Sequence, residues 1–379
     1  MPPGGHEEIR AALALASIRQ VGPLLFESLT RALGTAARAL ECSRKHLLEI
    51  EGIGPKTADL ICAGPDWAEI DRQIAACDAL GVRILTSADY PRLLAHIPAP
   101  PPVLFVQGSF EDADERSLAI VGTRNPDHYG SRVTRELAGA LARRGLTIIS
   151  GLAMGVDQVA HGAALEAGGR TIAVLGCGHD VDYPRGSAAL RKQILGSGAI
   201  VSEFAPGTQP LPAHFRQRNR IISGLALGVL LTQGTRKSGA MITVGYALEQ
   251  NRQVFCVPGP IHSMRSGAPH LFLKQGAALV ENADDVFESL PEANTGKRAQ
   301  GPAEPRQQVL STQGAAAPKA DLSEEERALM DSLAQGQMLH RDELLAHAGL
   351  DAGRGAPILL SLELRGLLRA HPGGHYSSN

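Results

Sequence analysis

Between residues 117 and 290, short apolar runs alternate with helix-spaced amphipathic segments, and glycines punctuate the junctions. The runs predict strands at 117–122, 146–150, 171–175, 199–203, 228–232 and 253–257. Segments such as GSRVTRELAGALARRG (130–145) lie between them and predict helices. Apolar strands separated by helices imply a parallel sheet covered on both faces. Gly122, Gly151, Gly176, Gly207, Gly234 and Gly259 all fall just past a predicted strand end. Open α/β sheets bind ligands at that edge.

The flanking patterns differ. Residues 6–80 are apolar at helical spacing, as at Ile9–Leu13 and Leu24–Leu29, with no strand-like alternation. Within them, LLEIEGIGPKTADLI (47–61) predicts a helix-hairpin-helix whose turn, Gly52 to Gly54, exposes backbone N–H groups beside Lys56. Residues 47–63 carry one lysine against three acids, which favours a structural or protein-contact role over DNA binding. A proline-rich lead-in at 90–108 ends in an apolar strand. Residues 291–322 lack periodicity and predict a flexible linker. From 323 to 379 three short helices and the hairpin RAHPGGHY give a winged-helix outline.

Composition changes little until it is divided by segment. The 379 residues are 44% hydrophobic and 20% charged, with net charge −2. Counted by segment, 1–80 and 319–379 each carry −3 and 81–318 carries +4, so any polyanion site belongs to the middle. Five cysteines (42, 62, 77, 177 and 256) lack C-x-x-C spacing, which argues against a disulfide framework or zinc site and fits a reducing cytoplasm. No membrane-length apolar stretch or basic-then-apolar leader pattern is present.

The densest chemistry lies in HFRQRNRIISGLALGVLLTQGTRKSGAMIT (214–243). From Phe204 to Leu248 there is no Asp or Glu, while Arg216, Arg218, Arg220, Arg236 and Lys237 all fall there. RNRIISGLA reads as a helix start, and TRKSGAMIT repeats the arrangement with Ser238 and Gly239 ahead of another helix. Two basic helix starts at neighbouring strand ends predict a groove for several phosphates. Phe215 reads first as core, with stacking on an unpaired base as the alternative. The loop AIVGTRNPDHYG (119–130) lacks the G-x-G-x-x-G spacing of a pyrophosphate cradle and offers Arg124 instead. Asp157 and His161, four apart, read as a helix-start aspartate and a hydrogen-bonded supporting histidine rather than an acid/base or metal pair. The Asp182–Pro184 turn is expected to line the same crevice.

VGTRNPDHYG, SGLAMGVDQVAHGAAL, TIAVLGCGHDVDYP, SEFAPG, FRQRNRIISGLA, SGAMIT and NRQVFCVPGP occur in the order found in the DNA-processing protein A (DprA/Smf) family, which the chain resembles from about Tyr90 to Phe287. The resemblance implies a Rossmann-like parallel-sheet domain at 85–290. A small all-α domain (SAM or helix-hairpin-helix-like) at 6–80 and a winged-helix (DML1-like) domain at 323–379 would flank it. It implies a non-enzymatic, dimeric, cytoplasmic protein without cofactor or metal. Such a protein binds single-stranded DNA, protects it in natural transformation and helps load the RecA recombinase; duplex binding stays open. The expected DNA-binding residues are Gly122, Thr123, Arg124, Asn125, Gly151, Phe215, Arg216, Arg218, Asn219, Arg220, Arg236, Lys237, Ser238 and Gly239, with a weaker DNA or protein contact at Gly52, Gly54 and Lys56. Two departures stand out: Gln233 occupies the position where the family usually has glutamate, and MITVGYAL is a looser version of the usual small-residue helix. The competing readings are a nucleotide-cleaving enzyme and a transcription regulator acting through the winged helix.

Overall fold

Glycine–proline pairs start two of the first helices. The computed structural model describes residues 3–290, 323–333, 339–364, 367–371 and 375–378. It divides into two units, Met1–Gly301 and Pro302–Asn379. The expected linker at 291–322 lies outside the described residues. The chain begins with α1 (Pro3–Ser17), α2 (Pro23–Leu33), α3 (Ala36–Glu41), α4 (Arg44–Leu47), α5 (Pro55–Ala63) and α6 (Trp67–Ala79). Leu15, Leu29, Leu47, Ile61 and Ile70 form their shared core, which continues into Val82 and Phe105.

The turn ahead of α5 has a counterpart ahead of α2. Gln20 and Gly52 both have left-handed backbones, with φ of 81° and 88°. Val21 and Ile53 follow, both buried. Gly22 and Gly54 then cap the helices, with Pro23 and Pro55 at the first turn. A hydrogen bond of 3.1 Å from the Thr57 hydroxyl to Gln20 Oε1 joins the two turns. Sequence reading finds the second turn and misses the first, where Gln stands in the glycine position.

The sheet is built from β1 (Val82–Leu85), β2 (Leu104–Gly108), β3 (Ser117–Val121), β4 (Thr147–Ser150), β5 (Thr171–Leu175), β6 (Ala199–Ser202), β7 (Gly228–Leu231), β8 (Gln253–Cys256) and β9 (Ala278–Leu279). Its order is β1-β2-β6-β5-β4-β3-β7-β8-β9. From β6 to β9 all neighbours are parallel, as the apolar runs predict. At the other edge β2 pairs antiparallel with β6, and β1 with β2. The six strands expected at 117–257 are thus all parallel, and the antiparallel edge is added by β1 and β2, joined by a proline-rich lead-in without a crossover helix long enough to restore the chain's direction.

The helices of this unit are α7 (Arg92–Ala95), α8 (His128–Arg143), α9 (Val156–Glu166), α10 (Ala188–Leu195), α11 (Pro212–Gly224), α12 (Ala240–Glu249), α13 (Gly267–Lys274) and α14 (Ala283–Ser289). Strand alternation sorts them onto two faces. Leu118 and Ile120 of β3 join the core made with Leu137 of α8 and Ala160 of α9. Ala119 and Val121 join the core made with Ile222 of α11 and Val244 of α12. The chain runs β3 to β6 in one direction and β7 to β9 in the other, so the direction reverses between β3 and β7. Such a reversal opens a crevice at the strands' carboxyl ends.

The second unit contains α15 (Glu324–Ser332), β10 (Leu339–His340), α16 (Arg341–His347), α17 (Ala352–Leu364), β11 (Leu368–His371) and β12 (His375–Ser378). Its antiparallel sheet has the order β10-β12-β11, and Leu329, Leu344, Leu345, Leu359 and Leu362 fill its core. This is the winged-helix arrangement expected from the sequence.

Candidate nucleic-acid interface

The crevice between β3 and β7 is a cleft of about 840 Å³, lined by loops that follow β3, β4, β5, β6 and β7 together with α11 and the start of α12. Gly122 lets the chain leave β3 closely packed. A Cβ there would lie 2.6 Å from the Val156 side chain and 2.8 Å from the Gln233 carbonyl oxygen. The Thr123 N–H donates to that carbonyl at 2.7 Å, and the Val156 N–H donates to the Thr123 carbonyl at 3.2 Å. The loop then turns into α8, where Asp127 caps the helix by accepting from the Gly130 N–H at 2.9 Å.

Gln233 fastens this turn from the neighbouring strand end. Its amide Nε2 donates to Asp127 Oδ2 at 2.8 Å, and its Oε1 accepts from the Asp127 N–H at 3.2 Å. The Gly130 N–H and the Gln233 amide together hold the Asp127 carboxyl below its usual range. A glutamate could accept from the Asp127 N–H, but as a carboxylate it could not donate to the Asp127 carboxylate. The amide thus does what the departure from the family pattern left open: it closes the loop.

With its backbone held, the Arg124 side chain projects over the Phe215 ring, 5.4 Å from guanidinium carbon to ring centroid. Phe215 also meets Tyr183, with centroids 5.0 Å apart, and packs against Gly176. Tyr183 lines the cleft as the turn reading anticipated. Phe215 is thus packed on one side and also lines the cleft.

The arginines of FRQRNR are not at a helix start. Pro212 occupies the first turn of α11, so Arg216, Arg218 and Arg220 lie in its body. Alternate positions on a helix differ by about 200°, and the three side chains meet different surroundings. Arg216 is exposed and lines the cleft. Arg218 is buried under it, donating to the Gly151 carbonyl at 2.7 Å and also to the Val174 carbonyl. Burial lowers its pKa to about 10, against the pull of Asp157, and Arg124 nearby adds to the lowering. Arg220 turns away into a buried two-pronged pair with Glu203, at 2.9 and 2.8 Å. The expectation that no acid lies near these arginines is thus overturned for Arg220, because Glu203 stands one residue outside the acid-free stretch. Gly151 likewise lies beneath the cleft, where a Cβ would collide with the Arg218 guanidinium at 2.6 Å. Asn125 does not line the cleft; its carbonyl accepts from Arg265 Nε at 2.9 Å.

The second basic loop meets the expectation more simply. Thr235 to Gly239 precede α12, with the Lys237 N–H donating to Thr235 Oγ1 at 3.3 Å and the Ala240 N–H to Ser238 Oγ at 3.4 Å. Asn219 Nδ2 reaches the Gly239 carbonyl at 3.5 Å, tying α11 to the start of α12. Arg124, Arg216, Arg236 and Lys237 are all exposed at the cleft. Among the described residues none of these four forms an ion pair. Gly52 and Gly54, in the turn ahead of α5, and Lys56 in its first turn do not line the cleft.

Asp157 and His161 sit at the base. Asp157 Oδ2 accepts from the Gly151 and Ala153 N–H groups at 3.2 and 3.3 Å. Burial raises its pKa, although Arg218 opposes the shift. His161 Nδ1 meets the Thr171 hydroxyl at 2.7 Å, and burial, reinforced by Arg218, lowers its pKa to about 3. Neutral and buried, it supports the floor. Among the described residues no group of three His, Cys, Asp or Glu side chains is placed to hold a metal ion, and no helix is long and apolar enough to cross a membrane.

Comparison with known proteins gives this cleft a context. The family model "DNA recombination-mediator protein A" matches residues 81–291, and a DprA winged-helix model matches 313–374. The chain is 42% identical to the DNA processing protein DprA of Bacillus subtilis over 231 residues, covering 60% of this chain and 78% of that one. It is 34% identical to Protein Smf of Synechocystis over 387 residues, covering 96% and 97%. The crystal structure of DprA from Streptococcus pneumoniae superposes with a TM-score of 0.64 at 30% identity, covering 75% of this chain and 96% of that one. A DprA structure from Helicobacter pylori, described for its single-stranded DNA binding mode, gives 0.51 at 29% identity, covering 56% and 96%. Both matched segments, the parallel sheet and the winged helix make this chain a member of the DNA recombination-mediator protein A family.

Proposed function

We propose that the chain binds single-stranded DNA, with backbone phosphates held in the cleft between β3 and β7. One observation carries the reading: Arg124, Arg216, Arg236 and Lys237 meet there, exposed and without ion pairs among the described residues. A guanidinium or ammonium held without a carboxylate is ready to replace the counterions of a phosphate. Arg218 contributes charge from beneath, and Asn219, Ser238 and Gly239 shape the start of α12 against the strand. Binding of this kind follows the phosphate chain and is largely independent of sequence. In keeping with the family, the bound strand is protected and presented to the RecA recombinase by a cytoplasmic dimer formed through the Rossmann-like domain, with no cofactor. The winged helix serves as a protein-contact module, since its segment carries −3 where duplex docking calls for cations.

Titration of the full chain with single-stranded and duplex oligonucleotides of equal length, at two salt concentrations, tests this. Tighter, salt-sensitive single-strand binding is expected. Equal affinity for both, or insensitivity to salt, would refute it.

A second reading, nucleotide cleavage, draws on one observation: Asp157 places a carboxyl in the cleft floor. Two backbone N–H groups already occupy one of its oxygens, which favours a supporting role. Release of free base from nucleoside monophosphates by the purified protein would establish this second reading.

A further inference from the structure

The cations do not explain why a single strand should be preferred, since duplex DNA offers phosphates too. Beside them lies a surface of different chemistry. Ile261 and Met264 are each 82% exposed, the highest values among the exposed large hydrophobic side chains of the described residues, and they share one loop. Met154 is 58% exposed on another. Isolated exposed apolar residues are ordinary. The residues that follow Met154 and Met264 touch one short segment, Thr123 to Asn125, from two sides.

On one side, Met154 follows Ala153, which lines the cleft. The next residue, Gly155, packs so closely on the segment that a Cβ would lie 2.5 Å from the Thr123 carbonyl oxygen. On the other side, Met264 precedes Arg265, whose Nε donates to the Asn125 carbonyl and whose carbonyl accepts from the Gly234 N–H. That same loop leads to Gly267, which lies against the Arg236 side chain. The two loops that carry the apolar side chains therefore border the segment of Arg124 on both sides.

We propose that Met154, Ile261 and Met264 form a shelf for unpaired nucleobases of the strand whose phosphates occupy the cleft, and that this shelf supplies the preference for single strands. The inference rests on the proposed binding of DNA in the cleft. Every base has an apolar face, exposed when unpaired and hidden by stacking in a duplex. Flexible thioether and aliphatic side chains cover such faces without selecting among bases. Adjacency to the cations argues for this occupant: phosphates held by Arg124 and Arg236 bring the attached bases to these loops.

The test compares an oligothymidylate with an abasic phosphodiester of the same length and charge, using the full chain, its Ile261→Gln/Met264→Gln double variant and Met154→Gln. Polar substitution at such exposed sites leaves the fold intact, which circular dichroism checks. For the double variant, oligothymidylate affinity should fall by about tenfold, the scale of losing one base-stacking contact, while abasic affinity and the salt slope stay unchanged. Unchanged oligothymidylate affinity, or an equal loss for both ligands, would overturn the shelf. So would altered self-association with DNA binding intact, which would assign the surface to a second copy of the chain. Arg124→Ala separates the two layers: it should weaken both ligands alike, and no effect on either would instead remove the cleft reading beneath the shelf.

Discussion

At the residue scale, neighbouring arginines in one motif do different work. Arg216 is exposed at the cleft, whereas Arg218 binds backbone carbonyls at the ends of two strands and Arg220 pairs with Glu203. Their substitutions should therefore differ in kind. Arg216→Ala should weaken single-strand binding and make its salt dependence shallower by about 0.7, the value of one phosphate contact. Arg218→Met should lower stability by about 2 kcal/mol, the scale of losing a charged donor to buried carbonyls. It should also weaken binding without changing the salt slope of the molecules that remain folded. Denaturant titration beside salt-dependent binding checks both, and a shallower slope for Arg218→Met would make it a direct phosphate ligand. This difference was not legible in the sequence. Alternation of Arg and polar residues gives the motif but not which helix face meets the sheet, and Glu203 reaches Arg220 from the preceding strand end.

At the scale of elements, the cleft depends on loops that pack backbone against backbone. Gly155 has φ of 87° and no room for a Cβ beside the Thr123 carbonyl. Gly155→Ala should therefore displace the segment that carries Arg124 and destabilise the fold, with a left-handed penalty of about 1 kcal/mol plus the collision. A crystal structure or thermal unfolding measurement of the variant checks this, and wild-type stability with wild-type binding would contradict it. The strands themselves were legible, because fully buried parallel strands are uninterrupted apolar runs ended by glycine. The β1 and β2 edge was less so, since direction within a sheet is set by the connection and not by the strand's residues. The first glycine–proline turn escaped for a simpler reason: Gln20 adopts the left-handed backbone that Gly52 advertises in its counterpart.

At the scale of the whole molecule, the architecture places a cationic cleft at the reversal between β3 and β7 and buries two histidines, His161 beneath it and His179 against the Ile200 carbonyl of β6. Burial depresses both, to about 3 for His161 and about 4 for His179. The unfolded chain takes up these protons near pH 6.5 while the folded chain resists them, so stability present above pH 6.5 is lost as pH falls toward the folded values. Between pH 7 and pH 5 each histidine should cost about 2 kcal/mol by this linkage. Denaturant titration at the two pH values, repeated with His161→Gln and His179→Gln, should show the loss and its reduction; equal stability at both pH values would contradict it. The acid-free stretch supplies much of the cleft lining, but which of its cations are exposed there became clear only with the fold. The most direct measurement is the salt dependence of single-strand affinity. Four cleft cations, each worth about 0.7 in log–log slope, predict about −3 for the wild type and a value nearer −2 for Arg124→Ala. A wild-type slope near zero, or one unchanged by loss of Arg124, would contradict phosphate binding in this cleft.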